Sequence, residues 1–452
     1  MPDRIFKAGA ATSNITPPLG TSLNGGMSDR SAEHIHDELH ARALVLDDGE
    51  RRLAIVVCDM CMIPRSVLDA AKHLAHGHTA IPLDQMLVSA THTHSAPTVA
   101  GVFQSDPDEA YARWLVVRIA DAIRRAVNNL APAQIGWGVA SEPSQVFNRR
   151  WKMKPGVKLV DPFGRPDEVK MNPPRASADL DEPAGPTDPE ICLLAVRGAN
   201  ERPIAVLANY SLHYVGDAPG AHVTADYFGA FADRLQQLLG ADRLDPPFVG
   251  IISNGTSGNI NNIDFRHTAE QQPPFTQIRR VAALVADAVK KSYDAIQWRD
   301  WAPLAAKQES LRLGRKPTPK DEMERAKFIL AQVKTASLQS VEEIYARETV
   351  LLAEYPAVFD TLVQAFRIGE LGIAASPCET FVETGLAIKA ESPLKPTFTI
   401  SLANDYGGYL PTAEHHKLGG YETWRARSSF LNEESEAKIR AKILELLKEV
   451  AR

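Results

Sequence analysis

The chain has 452 residues, 44% hydrophobic and 23% charged, and its 50 Lys+Arg against 56 Asp+Glu leave a net charge of -6. That balance lacks the basic excess of a nucleic-acid binder, and no apolar run approaches the roughly 18 residues of a membrane span. Four cysteines (Cys58, Cys61, Cys192, Cys378) make no disulfide framework in a chain long enough to fold without one, and the N-terminus shows no apolar leader, so a cytoplasmic location is expected.

In chain order, ARALVLDD (41–48), RRLAIVVCDM (51–60) and MLVSATHTH (86–94) predict strands. VLDAAKHLA (67–75) and YARWLVVRIADAIRRAVNNL (111–130) have helical spacing, and the second stops at Leu-Ala-Pro. This alternation predicts an α/β fold of layered mixed sheets flanked by helices. Cys58 and Cys61 spell C-x-x-C, but inside an apolar run and without a second pair, so buried thiols are expected. From Asn148 to about Pro189 the sequence turns rich in Pro, Gly and charge, which predicts a loop excursion over about 150–190. Strands resume at ICLLAVRG (191–198), PIAVLANYSLHYV (203–215) and FVGIISN (248–254), the last running into a Gly/Asn-rich turn. Residues from about Pro317 to Val363 predict an outer helical pair. RIGELGIAAS (367–376) and PTFTISLANDY (396–406) then read as strands, with helices at GLAIKAES (385–392) and at the C-terminus (435–452). Residues 1–452 are read as a single catalytic domain carrying these two excursions.

The chemistry collects at strand ends. His92 and His94 follow a strand at i and i+2, so both imidazoles can face one object from its carboxyl end; the alternative is a polar pair bonded to backbone. His213 ends another strand, where a satisfied core histidine is the competing reading. Glu379 follows a third strand, where a helix N-terminus also favours a carboxylate. Tyr406 and Tyr409 lie in a Gly-containing turn after a fourth, where amphipathic packing is the alternative. Imidazole nitrogens and hard oxygens with one position left open are a zinc ligand set.

The segments SATHTHSAP, Asn148-Arg149, NYSLH, SNGTSGN, SPCETF and ANDYGGY…GGYE, in this order, resemble the neutral/alkaline (non-lysosomal) ceramidase family over roughly residues 8–421. The resemblance implies an α/β hydrolase, unrelated to the serine α/β-hydrolases, that cleaves the C–N amide bond of a ceramide-like or other N-acyl substrate with metal-activated water. It implies Zn²⁺ held by His92, His213, Glu379 and Tyr409, with His94 beside the reactive water and Arg149 and Tyr421 facing the scissile carbonyl. For Arg149 the competing reading is a surface arginine beside Arg150. The family's G-D-V-S-P-N segment reads Gly255-Thr256-Ser257-Gly258-Asn259 here, so a turn role is expected for Ser257, and no C-terminal immunoglobulin-like domain is expected after Tyr421.

Lesser candidates are His36 in Glu33-His34-Ile35-His36-Asp37, as a site-lining or supporting group, and Asp226 and Asp59 as supports for ligand histidines. His415-His416 reads as a solvated turn. One rival function is a metal-free serine hydrolase using Ser257, which lacks a G-x-S-x-G elbow. The other is a catalytically inactive binding protein of the same fold. The expected partner is a small-molecule amide; no nucleic acid or transmembrane segment is expected, and an oligomer is open.

Overall fold

The computed structural model describes residues 4–452. The large sheet is built from β1 (Lys7–Asn14), β2 (His40–Asp47), β3 (Arg52–Cys58), β4 (Met86–Ala90), β5 (Ala131–Ser141), β6 (Glu190–Gly198), β7 (Pro203–Tyr210) and β8 (Val249–Asn254). Its strand order is β8-β7-β6-β5-β1-β2-β3-β4. The five inner pairings are antiparallel, whereas β3/β4 at one edge and β7/β8 at the other are parallel. A second sheet, β9 (Leu304–Gly314), β10 (Val358–Ile368), β11 (Leu371–Ala375) and β12 (Thr397–Ile400), is antiparallel except for its parallel edge pair β11/β12.

The two sheets pack face to face, with helices outside both. Side chains alternate along each strand. Leu44 and Leu46 of β2 therefore join Phe366, Ile373 and Phe398 in the core between the sheets. Ala43 and Val45 face the opposite way, onto α1 (Arg65–Thr79) and α2 (Glu109–Asn128). Helices α3 (Asp226–Leu238) and α4 (Thr276–Asp294) cover the other half of that face. Two further helices, α7 (Val382–Glu391) and α9 (Ser435–Val450), close the outside of the second sheet. The result is helix, sheet, sheet, helix, the layered mixed α/β class expected from the sequence.

Three expectations change. Residues 150–190 are not a plain loop: Arg150–Met153 pairs with both Val169–Met171 and Leu180–Pro183, and Leu159–Val160 pairs with Pro166–Asp167. These strands are two to four residues long and lie between prolines and glycines, so no period-2 run marks them. The helical pair is present as α5 (Lys320–Gln332) and α6 (Val341–Ala353), but Val358 already begins β10, so the excursion ends earlier than Val363. Strands β5 and β9 go beyond the predicted elements. Gly136 and Gly138 in the first and AAKQES in the second are poor strand formers, and pairing with neighbours outweighs that preference.

Candidate metal centre

The three parallel edge pairs deliver the site. β4 ends at Ala90 and releases His92. β7 ends at Tyr210 and releases His213, and β11 ends at Ala375 just before Glu379. β12 leads into the turn with Tyr406 and Tyr409, and Glu379 pairs with Tyr409 in a short parallel bridge. A parallel pair needs both strands to end on the same side, so loops from distant sequence meet there.

His92, His213 and Glu379 each offer a ligand atom, all within 4.8 Å of one another, and all three residues are buried. Glu379 Oε2 lies 3.1 Å from His92 Nε2 and 4.0 Å from His213 Nε2. The far nitrogens are already engaged. His92 Nδ1 is 2.7 Å from the Cys61 carbonyl and His213 Nδ1 is 3.2 Å from the Ser257 carbonyl. A carbonyl only accepts, so both Nδ1 atoms donate and both Nε2 atoms present lone pairs to the centre. His213 Nε2 and Glu379 Oε2 are buried without a hydrogen-bond partner. Orphaned buried acceptors of this kind are costly unless something electropositive joins them, and two imidazoles with a carboxylate fit zinc. Cys61, His92 and His94 form a second convergent group. It is the weaker one, because Cys61 Sγ approaches His92 at Nδ1, the nitrogen committed to the Cys61 carbonyl.

Electrostatics follow the geometry. Burial works against charge on His92, but the adjoining Glu379 carboxylate raises its pKa well above the usual histidine range, so a cation at the centre would take the place of a proton on Nε2. Burial, then Arg149 and His92, hold His213 well below that range. Burial, then His92, Arg30 and Arg149, do the same for His94. His94 Nε2 lies 3.1 Å from His92 Nε2, and its ring stacks on Tyr214 at 3.7 Å between centroids.

Arg149 is 4% exposed, not a surface arginine. Its Nε donates to Glu422 Oε1 at 2.9 Å, and its Nη2 donates to the Gly258 carbonyl at 2.8 Å and to the Tyr409 hydroxyl at 3.0 Å. Gly258 is required there because a Cβ would sit 2.4 Å from the Glu379 carbonyl oxygen. Tyr421 packs against Tyr409 with centroids 5.7 Å apart. Burial pushes the Tyr409 phenol above its ordinary value while Arg149 pulls the other way. All seven sequence-derived site residues thus gather in one region.

The structure gives contacts to residues that the sequence reading left without a role, among them Glu422 and the turn residues Asn404, Asp405 and Tyr406. Glu422 is fully buried and also takes Arg150 Nη1 at 2.6 Å, so one carboxylate holds both arginines. Tyr406 donates to Glu379 Oε1 at 3.1 Å. Asn404 and Asp405 anchor the same turn: Asn404 Oδ1 accepts from Lys72 Nζ at 2.6 Å, and Asp405 Oδ1 accepts from the first backbone N–H of α1 at 3.0 Å. The C-x-x-C segment is structural, as expected, since Cys58, Met60 and Cys61 supply the carbonyls that hold Thr91 and His92.

Gly25 has the clearest mechanical role. Its φ is +96°, and a Cβ there would fall 2.3 Å from His94 Cγ. Gly25→Ala is expected to displace the His94 ring and lower turnover by about tenfold or more, with unchanged metal content. Steady-state kinetics with metal analysis checks this; wild-type kcat would remove His94 positioning as its function.

Other candidates fall elsewhere. Ser257 Oγ donates to Asn254 Oδ1 at 2.7 Å, and the nearest nitrogen, His213 Nδ1 at 3.4 Å, is committed as a donor. No base activates this serine, and its carbonyl orients His213. Asp226 accepts from the Val215 and Gly216 N–H groups at 2.9 Å, so it braces the loop after His213 and not the ring itself. His36 stacks on Phe275 at 3.6 Å, in a cavity of about 440 Å³ that also contains Asp37, Asp226 and Asp233. That cavity is roomier than several others, but none of the seven site residues lines it, and the convergent ligand atoms mark the chemistry better than volume does. Asp59 pairs with Arg42. His415 is a correction: it is 4% exposed and bonded to Glu383 at 2.9 Å, because α8 (Ala413–Leu418) folds it inward.

A family model described as neutral/alkaline non-lysosomal ceramidase, N-terminal, matches residues 6–270. The neutral ceramidase from Pseudomonas aeruginosa is similar in fold at a TM-score of 0.71 and 18% identity, covering 99% of this chain and 74% of that one. A ceramidase complexed with C2 is similar at a TM-score of 0.73 and 16% identity, covering 99% of this chain and 75% of that one.

Proposed function

Since the chain belongs to the neutral/alkaline non-lysosomal ceramidase family, a family of hydrolases, we propose that it is a zinc-dependent amidohydrolase cleaving the C–N bond of a ceramide-like or other N-acyl substrate. The observation that carries this reading is the pair of Nδ1-anchored histidines whose Nε2 atoms converge with an orphaned Glu379 oxygen. His92, His213 and Glu379 would hold the metal, with Tyr409 as the fourth protein ligand. Zinc bound there supplies a Lewis acid and a water acidified to a pKa of about 7.

The rest of the chemistry belongs to the chain. His94, kept neutral by burial and nearby cations, is able to accept a proton at Nε2 from the attacking water and return it to the leaving nitrogen. Arg149 commits Nε and Nη2 to neighbours, so its Nη1 hydrogens remain for the developing oxyanion. Tyr421 is the second donor, and each such donor is worth about 3 kcal/mol. Burial of the turn around Tyr409 and Arg149 excludes water that would compete for these bonds.

The test is metal analysis of protein purified without added metal, together with amine release from N-acyl amides before and after chelation. About one zinc per chain is expected, with cleavage lost on chelation and restored by zinc. Cleavage that survives complete metal removal overturns the zinc assignment, and zinc-loaded folded protein that cleaves no amide overturns the amidohydrolase assignment. Tyr421→Phe is expected to lower kcat about a hundredfold while metal content and stability hold. An unchanged kcat removes Tyr421 from the oxyanion role.

A further inference from the structure

A cavity of about 390 Å³ opens between the 161–167 hairpin, the residues preceding α5 and the segment 416–425. Its lining is basic: Arg165, Lys316, His416, Lys417 and Arg425, with Trp424 as an aromatic wall. Two of the acids beside them spend their hydrogen bonds on neutral donors and not on these cations. Asp161 accepts from the backbone N–H groups of Phe163 and Arg165, and Asp167 accepts from Gly420 N–H and the Trp424 indole at 2.9 and 2.8 Å. Glu322 alone pairs with cations there, and it is shared between Arg165 and Arg425.

Lys316 is held by neutral oxygens only: the carbonyls of Thr423 and Ser429 at 2.9 and 3.1 Å and the Ser429 hydroxyl at 2.9 Å. Among the described residues, neither Lys316 nor Lys417 forms an ion pair. Arg425 is 6% exposed, and its Nε is buried without any partner. Three of the basic groups are shifted the same way. Burial and neighbouring cations push Lys316 down to about 7, Arg425 down to about 10 and His416 down to about 3. The buried Arg425 Nε lacks an acceptor and Lys417 lacks a counter-ion, and an oxyanion seated beside them would supply charge-assisted hydrogen bonds to both.

We infer that this cavity binds an oxyanion, the phosphate- or carboxylate-type group of a small molecule, between Arg165, Lys417 and Arg425. The volume lies within the range of small-molecule pockets, so it accommodates more than an inorganic ion. The site is separate from the metal centre yet shares a wall with it. Gly419, Thr423 and Trp424 line the cavity, while Tyr421 in the same turn faces Tyr409. An anion seated there bears on the turn that presents Tyr421. The anionic group comes either with the substrate or from a separate effector. Binding itself does not depend on the proposed amide hydrolysis; only the kinetic arm below rests on that reading.

The experiment is calorimetric titration of the metal-loaded protein with inorganic phosphate, at ionic strength held constant with chloride so that screening does not imitate binding. Saturable binding is expected, weakened about tenfold by Lys417→Gln and by Arg165→Gln, whose side chains sit toward the rim, and retained in His92→Ala. No saturable binding overturns the proposal. So does binding that is lost in His92→Ala and indifferent to Lys417→Gln, since the phosphate then sits at the metal centre. With hydrolysis in hand, Lys417→Gln raising KM only for anionic amides places the group on the substrate. Phosphate changing turnover of a neutral amide in wild type but not in Lys417→Gln identifies a separate effector.

Discussion

Glu379→Gln is expected to abolish tight zinc binding and to lower kcat by about a thousandfold or more. The carboxylate stands 4% exposed between two imidazoles, with Oε1 held by Tyr406 and Oε2 facing the Nε2 atoms of His92 and His213. Glutamine keeps the shape but removes the charge, and it can turn an N–H₂ donor toward the position a cation would take. The protein should still fold, because Glu379 contributes one short bridge at a loop and not a core side chain. Metal analysis, circular dichroism and turnover on the same sample check this. Full zinc occupancy with wild-type kcat in Glu379→Gln would show that the ligand set is wrong.

The second large effect is expected from Glu422→Gln, through stability as well as catalysis. Glu422 is the one carboxylate that neutralises both Arg149 and Arg150, whose side chains are 5% and 0% exposed. Removing it leaves two buried guanidinium groups uncompensated, a loss of about 3–5 kcal/mol, visible as a lower denaturant midpoint. Arg149 then has no fixed orientation toward Tyr409, so kcat falls with it. The pH dependence follows the same pair of contacts. Burial would raise the Glu422 pKa, but Arg150 and Arg149 hold it below the ordinary value of 4.5. The folded pKa is therefore depressed, so this contribution is present above about 4.5 and is lost as pH falls through the folded value. Wild type should lose stability in that acid window more steeply than Glu422→Gln. Equal acid slopes and an unchanged midpoint would reduce the Arg149–Glu422–Arg150 bridge to a minor term.

Local sequence was informative wherever one strand end carries its own signal. The apolar runs of β2, β3, β6, β7 and β8 are buried on both faces and so read as strands without any partner in view. His92, His213 and Glu379 each follow such a run, so their approach to a common centre was expected from the α/β alternation together with the ceramidase resemblance. The helical pair was legible from its residues at helical spacing, and the structure adds a Ser340–Glu343 capping box at the start of α6.

What stayed hidden depends on contacts between segments hundreds of residues apart. The resemblance implied a role for Arg149, but that Glu422 holds it together with Arg150 comes only with the fold. A turn role was expected for Ser257, but that Asn254 and the His213 ring are its partners comes only with the fold. Gly25 carries no chemical signal at all; only the packing of His94 against it makes the missing Cβ matter. The short strands between 150 and 190 exist because they pair with one another, and the basic cavity exists because three stretches of unremarkable charge close around Trp424. Residue type and strand-end position decided by themselves which groups could do chemistry. Tertiary structure decided which atoms are free to do it, because a nitrogen or oxygen is available to a ligand only when no other buried partner has claimed it.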